Sequence, residues 1–353
     1  MFVIGIDVHV RNSFFHINHA DGRTFKKGRV ANTLADFAQF LAPIEGHAAK
    51  AVMESTTNSR PVYLLLKEWA RQAKCDLEAR VLHARKLRMI AQSEAKCDKI
   101  DGSELAHLAD CNLRLSVSYM PPQDVFELRE LTRTREDLVD ARTMLKCQAH
   151  AILHRRGILL PSEIDLFSQA GRAWVKDVKS MDQTGRMALD RLYALISVFD
   201  ARIKEADAGL KEKSKSVRWK ADFDLLTTMP GVGLVTALTV LGEIGELSRF
   251  KSRAAISNFA GLIPVERSSN DKDWKGKVKR QGPRHLRRVL VEAAWAAIAH
   301  SEKYKEIYQK LVAKNGRKLV AATAVARRML EDMYTMLKTR SAFKDKPSTS
   351  DAG

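Results

Sequence analysis

A carboxylate set inside an apolar β run constrains this chain more than any other feature. Phe2-Val3-Ile4-Gly5-Ile6-Asp7-Val8-His9 is dominated by β-favouring aliphatic and aromatic residues and reads as a strand buried on both faces. An ionised Asp7 in that setting costs several kcal/mol unless a cation, hydrogen bonds or a proton satisfies it. On one reading Asp7 ends the strand and accepts backbone N–H bonds. On the other it meets further carboxylates at the ends of neighbouring elements.

The residues that follow bear on that choice. Ser13–Ile17 is a second β-rich run, and Asp21-Gly22 predicts a hairpin turn into a third strand, Thr24–Val30. Leu34, Phe37, Ala38 and Leu41 recur at helical spacing between an Asn32-Thr33 cap and Pro43. Lys50–Met53 is a short buried-strand run ending in Glu54, with Ser55-Thr56-Thr57-Asn58 behind it as turn and helix cap. Tyr63–Ala73 reads as a helix and Leu77–Leu82 as another strand. The order β-β-β-α-β-α-β, with acids where the first and fourth strands end, is a ribonuclease H-like pattern.

Further on, Asp98 and Asp101 lie one helical turn apart in Lys96–Ala109, where Leu105, Leu108 and Ala109 supply an apolar face. Acids in a first turn also suit the helix dipole. Asp7, Glu54, Asp98 and Asp101, if they converge, repel one another unless hard cations lie between them. Mg2+ takes oxygen ligands of this kind, and two such ions activate a nucleophile and stabilise the leaving oxygen of a phosphodiester.

Charge points to the same class of substrate. Sixty Lys and Arg against 42 Asp and Glu give a net charge of +18, the footprint of a polyanion partner. Nucleic acid is the first candidate. An anionic membrane is the weaker one, since no apolar run approaches spanning length. No basic segment followed by an apolar one opens the chain, so the sequence predicts a cytoplasmic protein without a signal peptide. Cys75, Cys97, Cys111 and Cys147 form no Cys-x-x-Cys pair and read as reduced, mostly buried thiols.

Pro121-Pro122 closes the first region, about 1–118. In the helical region 119–218, Leu131, Leu138, Leu145 and Ile152 repeat every seventh residue, with Arg135 and Arg142 at companion seam positions. A second stripe runs through Leu189, Leu192, Ile196, Phe199, Ile203, Ala206 and Leu210. Two such helices predict a coiled-coil hairpin within one chain, or pairing between subunits of a homo-oligomer, a dimer or tetramer. Gly157–Gly185 carries a short helical piece without a clear place. Arg129, Arg133, Arg135, Arg142, His154, Arg155 and Arg156 are either a solvated face or a nucleic-acid contact.

The region 219–343 contains a helix-hairpin-helix pattern, Phe223–Met229, then Pro230-Gly231-Val232-Gly233, then Leu234–Ile244. Gly231 and Gly233 let a backbone approach a phosphate, with the N–H groups of the next helix facing the anion. Phe250–Ala260 is a further helix, ended by Gly261-Leu262-Ile263-Pro264 and followed by a polar loop, Val265–Lys272. From Arg267 to Arg288 nine basic residues stand against Asp271 and Asp273. Arg267, Lys272, Lys275, Lys277, Lys279, Arg280 and Arg284 are the nucleic-acid-binding candidates among them. Trp274 either stacks on bases or anchors the loop. Arg284–His300 and Arg317–Leu337 read as two more helices, and 344–353 as a disordered tail.

Taken together, Gly5-Ile6-Asp7, Met53-Glu54-Ser55-Thr56 and Asp98-Lys99-Ile100-Asp101 resemble the DEDD motif of Piv-like DNA invertases and related insertion-sequence transposases. The C-terminal half resembles the second domain of the same family, in which a Gly-Leu-x-Pro segment precedes a nucleophilic serine. The resemblance implies a RuvC-like N-terminal domain with Mg2+ on Asp7, Glu54, Asp98 and Asp101, and an all-α C-terminal transposase domain. Counted from Pro264, the serine falls on Ser269; Asn270 stands where the family has Gly, which leaves Ser268 as the alternative. The implied partners are the DNA of element ends and target and, as in some members, a guide or bridge RNA. Two other functions fit the same residues: a resolvase-like nuclease using a metal-activated water, and a non-catalytic architectural DNA binder.

Overall fold

The computed structural model describes residues 1–83, 117–269, 272–278 and 281–345, with the side chains of 264–278 and of Asn315 excepted. Asp98, Asp101, Cys97, Cys111, Asn270, Asp271, Lys279, Arg280 and the segment 346–353 lie outside the described residues. The chain divides into two units, Met1–Met120 and Pro121–Gly353.

The first unit is built on the apolar run that opens the chain. Its strands are β1 (Phe2–Val8), β2 (Asn12–His19), β3 (Thr24–Ala31), β4 (Ala49–Glu54) and β5 (Leu77–Leu82), ordered β3-β2-β1-β4-β5 in one sheet. The three N-terminal strands are antiparallel neighbours, and β1–β4 and β4–β5 pair in parallel. Gly22, at φ +85°, makes the predicted turn between β2 and β3. Helices α1 (Leu34–Leu41) and α2 (Ser59–Gln72) form the crossovers. Thr33 caps α1 by accepting the Asp36 N–H, as the Asn32-Thr33 pair predicts.

Side-chain alternation then sorts the strands. Ile4, Ile6, Phe15, Ile17, Ala51 and Met53 are buried in one core with Phe37 and Leu41 of α1 and Val62, Leu66 and Trp69 of α2. Residues one step along each strand point to the other face. That alternation aims the two acids away from the helices.

The second unit begins with α3 (Gln123–His154) and α5 (Gln183–Lys215), joined by a segment that includes α4 (Gln169–Asp177). Their ion pairs fix the direction of the pairing: Glu127 with Lys213, Arg135 with Asp207, Arg142 with Asp200, and Arg156 with Asp182. As the first partner climbs the chain the second descends, so the two helices form an antiparallel hairpin. The heptad stripe holds only near the linked end. Leu145 and Ile152 are buried there, whereas Leu131 is exposed, because Val125, Leu128 and Thr132 take over the inward face lower down. The segment that the sequence leaves unplaced closes that end, with Ile158, Leu166, Val175 and Met181 packed on Ala149, Leu153 and Leu189. Cys147, against expectation, is exposed on the hairpin, while Cys75 is buried.

Asp182 caps α5 by accepting the Gly185 N–H at 2.7 Å and bonds Arg156 at 2.6 Å. The Arg156 bond first, then the Gly185 N–H, hold its carboxyl at about 2. The stabilisation from a depressed carboxyl is present above the unfolded value, ~3.9, and is lost as pH falls through about 2. An NMR titration of Asp182 should therefore give a midpoint near 2. A midpoint in the ordinary aspartate range would mean that the cap and the Arg156 bond do not form in solution.

The remainder is mostly helical: α6 (Lys220–Leu226), α7 (Leu234–Ile244), α8 (Arg253–Ala260), α9 (Arg284–His300), α10 (Glu302–Asn315) and α11 (Lys318–Thr339). Two expectations need correction. Val265–Lys272, read as a polar loop, is part of an antiparallel pair, β6 (Pro264–Ser269) and β7 (Lys272–Val278), so the C-terminal unit is not all-α. Between the two helices predicted at the C-terminus stands a third, α10, anchored by Tyr304. No helix among the described residues is long and apolar enough to cross a membrane.

Candidate functional site

Two of the four predicted acids fall within the described residues, and the sheet brings them together. β1 and β4 run parallel, and Ile6 opposite Met53 is their last directly paired position. Asp7 and Glu54 are the next residue on each strand, at the carboxyl ends of adjacent strands about 5 Å apart. Because Ile6 and Met53 point into the helix-covered core, Asp7 and Glu54 share the opposite face. Both are partly exposed. His9, just past the end of β1, places Nε2 at 3.2 Å from Oδ2 of Asp7.

This arrangement fits a divalent cation in its chemistry. Two carboxylates held side by side by a rigid sheet repel each other, and a hard cation between them relieves the repulsion. Among the described residues no group of three or more His, Cys, Asp or Glu side chains gathers as a metal cluster. Asp98 and Asp101, the other half of the expected set, lie outside those residues.

In the second unit Ser269 is the last residue of β6, paired with Lys272 across the two positions that join the strands. Ser268 pairs with Asp273, and Arg267 with Trp274. The hairpin therefore places Ser269 at its turn end, one register step beyond Ser268. Arg267, Lys272, Lys275 and Lys277 lie on the same two strands. Below it, Arg287 donates to the carbonyls of Ala260 at 3.2 Å and Gly282 at 2.9 Å, which ties the chain entering the hairpin to the chain leaving it.

The Pro230–Gly233 turn joins α6 to α7 as the sequence predicts. Its two glycines do different work. Gly231 adopts φ +81°, and a Cβ there would come within 2.5 Å of the Ala293 carbonyl, so this glycine serves packing against α9. Gly233 begins α7 with open space around it and no side-chain cap, which leaves room for a backbone phosphate.

Five of the middle arginines, Arg129, Arg133, Arg135, Arg142 and Arg156, are engaged within the fold, whereas His154 and Arg155 are exposed. Arg135 and Arg142 are spent on Asp207 and Asp200 within the hairpin. Arg133 forks onto both oxygens of Glu243, which is 1% exposed, at 2.8 and 3.0 Å. Arg129 donates to the carbonyls of Gly242 and Glu243 at 2.7 and 2.9 Å. Nearby, Glu136, Asp137 and Asp140 of α3 meet Arg284, His285 and Arg288 at the start of α9. Arg284, a nucleic-acid candidate, is thus paired with Asp137 at 3.3 Å, with both side chains largely exposed. A pair that open is worth little and exchanges readily for another anion.

Comparison with known proteins bears on both units. Residues 4–156 match a family model of DEDD transposases of the IS110 type, and residues 223–309 match that of the transposase IS116/IS110/IS902 family. The transposase for insertion sequence element IS1111A of Coxiella burnetii is 23% identical over 256 residues, covering 70% of this chain and 69% of that protein. The transposase for insertion sequence element IS1328 of Yersinia enterocolitica is 24% identical over 294 residues, covering 83% and 82%. The mini-circle putative transposase for IS117 of Streptomyces coelicolor is 28% identical over 156 residues, covering 44% of this chain and 37% of that protein.

Proposed function

The chain belongs to the IS116/IS110/IS902 family of insertion-sequence transposases, and from that premise we propose a covalent strand-transfer mechanism for it. The N-terminal unit is a RuvC-like catalytic domain, and the observation that carries this reading is the side-by-side placement of Asp7 and Glu54 on one sheet face. Asp7, Glu54, Asp98 and Asp101 would hold Mg2+, which would supply neutralisation of developing charge on the phosphate and acidify an attacking hydroxyl. The Ser269 hydroxyl attacks phosphorus and displaces a strand end, conserving the bond as a phosphoserine link that a second strand end later reverses without ATP. The basic strands β6 and β7 and the open Gly233 turn supply the grip on the nucleic-acid backbone. The protein acts as a homo-oligomer on element ends and target, with a bridge RNA choosing the sites.

The test is to incubate the protein with Mg2+, element-end DNA and co-purified RNA, then trap and map any protein–DNA adduct. A covalent link on Ser269, lost in Ser269→Ala and kept in Ser268→Ala, is the expected result. Strand cleavage that persists in Ser269→Ala, with no adduct at any residue, would instead establish a nuclease using water. Activity indifferent to Asp7→Ala and Glu54→Ala alike would leave an architectural DNA binder.

A further inference from the structure

The α10–α11 corner lies past residue 309, where the match to the C-terminal family model ends. Its sequence is unusual in a chain that mixes charges elsewhere. From Ile307 to Leu330 there are six Lys and Arg and no Asp or Glu. Three of the six have acidic partners: Lys310 with Glu306, Arg327 with Glu331, and Arg328 with Glu331 and Asp332. Lys314, Arg317 and Lys318, at the corner itself, have no acidic partner among the described residues, and all three are exposed.

Beside these cations stand two apolar side chains in water. Leu319 is 65% exposed and Val320 49%. The change along the helix is abrupt, since the next residues, Ala321 and Ala322, are buried, as are Val325, Ala326 and Met329. The buried stretch is part of the main C-terminal core. The corner is therefore the exposed start of a well-packed helix, preceded by Gly316 at φ +65°. Single exposed aliphatics need no explanation, but an adjacent Leu-Val pair framed by three unneutralised cations does.

We propose that this corner is a second duplex-DNA contact, in which Lys314, Arg317 and Lys318 engage backbone phosphates and Leu319 and Val320 press on sugars and base edges in the groove between them. The inference rests on the transposase reading for its choice of nucleic acid. Charge complementarity carries it further, because three cations without acids repel one another until a polyanion covers them. Apolar side chains inserted beside basic ones are how many proteins engage a groove. An anionic membrane suits the site less, as two aliphatic side chains bury too little apolar surface for stable anchoring.

Salt-dependent fluorescence anisotropy of the full chain decides the matter, with labelled element-end duplex, single-stranded RNA and phosphatidylserine vesicles as separate probes. For the K314Q/R317Q/K318Q variant, the slope of log affinity against log salt on duplex should become shallower by about 2 to 3, roughly 0.9 for each phosphate no longer neutralised. L319A/V320A should weaken duplex binding several-fold at unchanged slope, and K314R/K318R should keep the wild-type slope. All these positions are exposed, and wild-type melting of each variant checks that the fold is intact. A wild-type slope in the triple variant, or effects confined to RNA or to vesicles, would overturn the proposal. L319A/V320A binding like wild type would remove the groove contact. If the wild-type chain itself shows no salt-dependent duplex binding, the transposase reading fails first, whatever the corner does.

Discussion

Asp7→Asn is expected to slow DNA strand cleavage by roughly 10³-fold, the rate equivalent of about 4 kcal/mol of transition-state stabilisation, with duplex affinity nearly unchanged. The substitution is almost isosteric, and Asp7 lies at the end of β1 with part of its side chain in solvent, so packing barely changes. What it removes is one of two carboxylates side by side on the sheet face. For the same reason melting in the absence of divalent cations should rise slightly or stay level, because the repulsion between Asp7 and Glu54 has gone. Mg2+ should raise the melting temperature of the wild type, and should raise that of the variant less. A fall in stability without metal, matched by a proportionate fall in activity, would mean that Asp7 is a structural strand-end residue. Glu54→Gln should behave alike. His9→Ala should cost far less, since His9 touches the carboxylate without duplicating its charge.

The same variant addresses subunit sharing. Asp7 and Ser269 belong to different units of the chain. Mixing Asp7→Asn chains with Ser269→Ala chains restores strand transfer if one subunit lends its acids and another its serine. Activity absent from every mixture would confine each reaction to one chain.

Much of the first unit was legible because its information is local. A continuous apolar run made β1, Asp21-Gly22 made the hairpin turn, and Asn32-Thr33 made the cap of α1. The acid-bearing strand ends followed from those runs, though their adjacency needed the register. The β6–β7 hairpin escaped because Glu266-Arg267-Ser268-Ser269 offers no apolar alternation, so nothing marks it as strand. Helix α10 escaped because Tyr304 is its one fully buried anchor among the described side chains. Arg129 and Arg133 were open to a nucleic-acid reading because the groups that receive them lie more than a hundred residues away in sequence. No local pattern pairs charges at that distance. The hairpin ion pairs show the same limit, with heptad spacing marking the helices and only the fold showing where each arginine is spent.

Arg133→Ala should destabilise the C-terminal unit by about 2–3 kcal/mol, at or below the lower end of the cost of breaking a buried ion pair, because Arg133 is 39% exposed and Arg129 stays 4.0 Å from Glu243. Glu243 ends the apolar helix α7, where a carboxylate also opposes the helix dipole, and it is 1% exposed. Its charge is tolerable there because Arg133 takes both oxygens, and Arg129 lies 4.0 Å from one of them while donating to the carbonyls of Gly242 and Glu243. Removing Arg133 leaves a buried carboxylate with only the more distant Arg129 opposite it. Removing Glu243 instead leaves a guanidinium that is 39% exposed and can rehydrate, so Glu243→Ala should cost less than Arg133→Ala. The paired change Arg133→Met with Glu243→Leu should recover most of the loss, since neither charge is then stranded. Urea denaturation of the three variants ranks them. Equal costs for the two single changes, or no recovery in the pair, would show that the clasp between α3 and α7 acts through packing alone. Because α7 carries the open Gly233 turn at its other end, the single changes should also weaken DNA binding, in the same order as they weaken the fold.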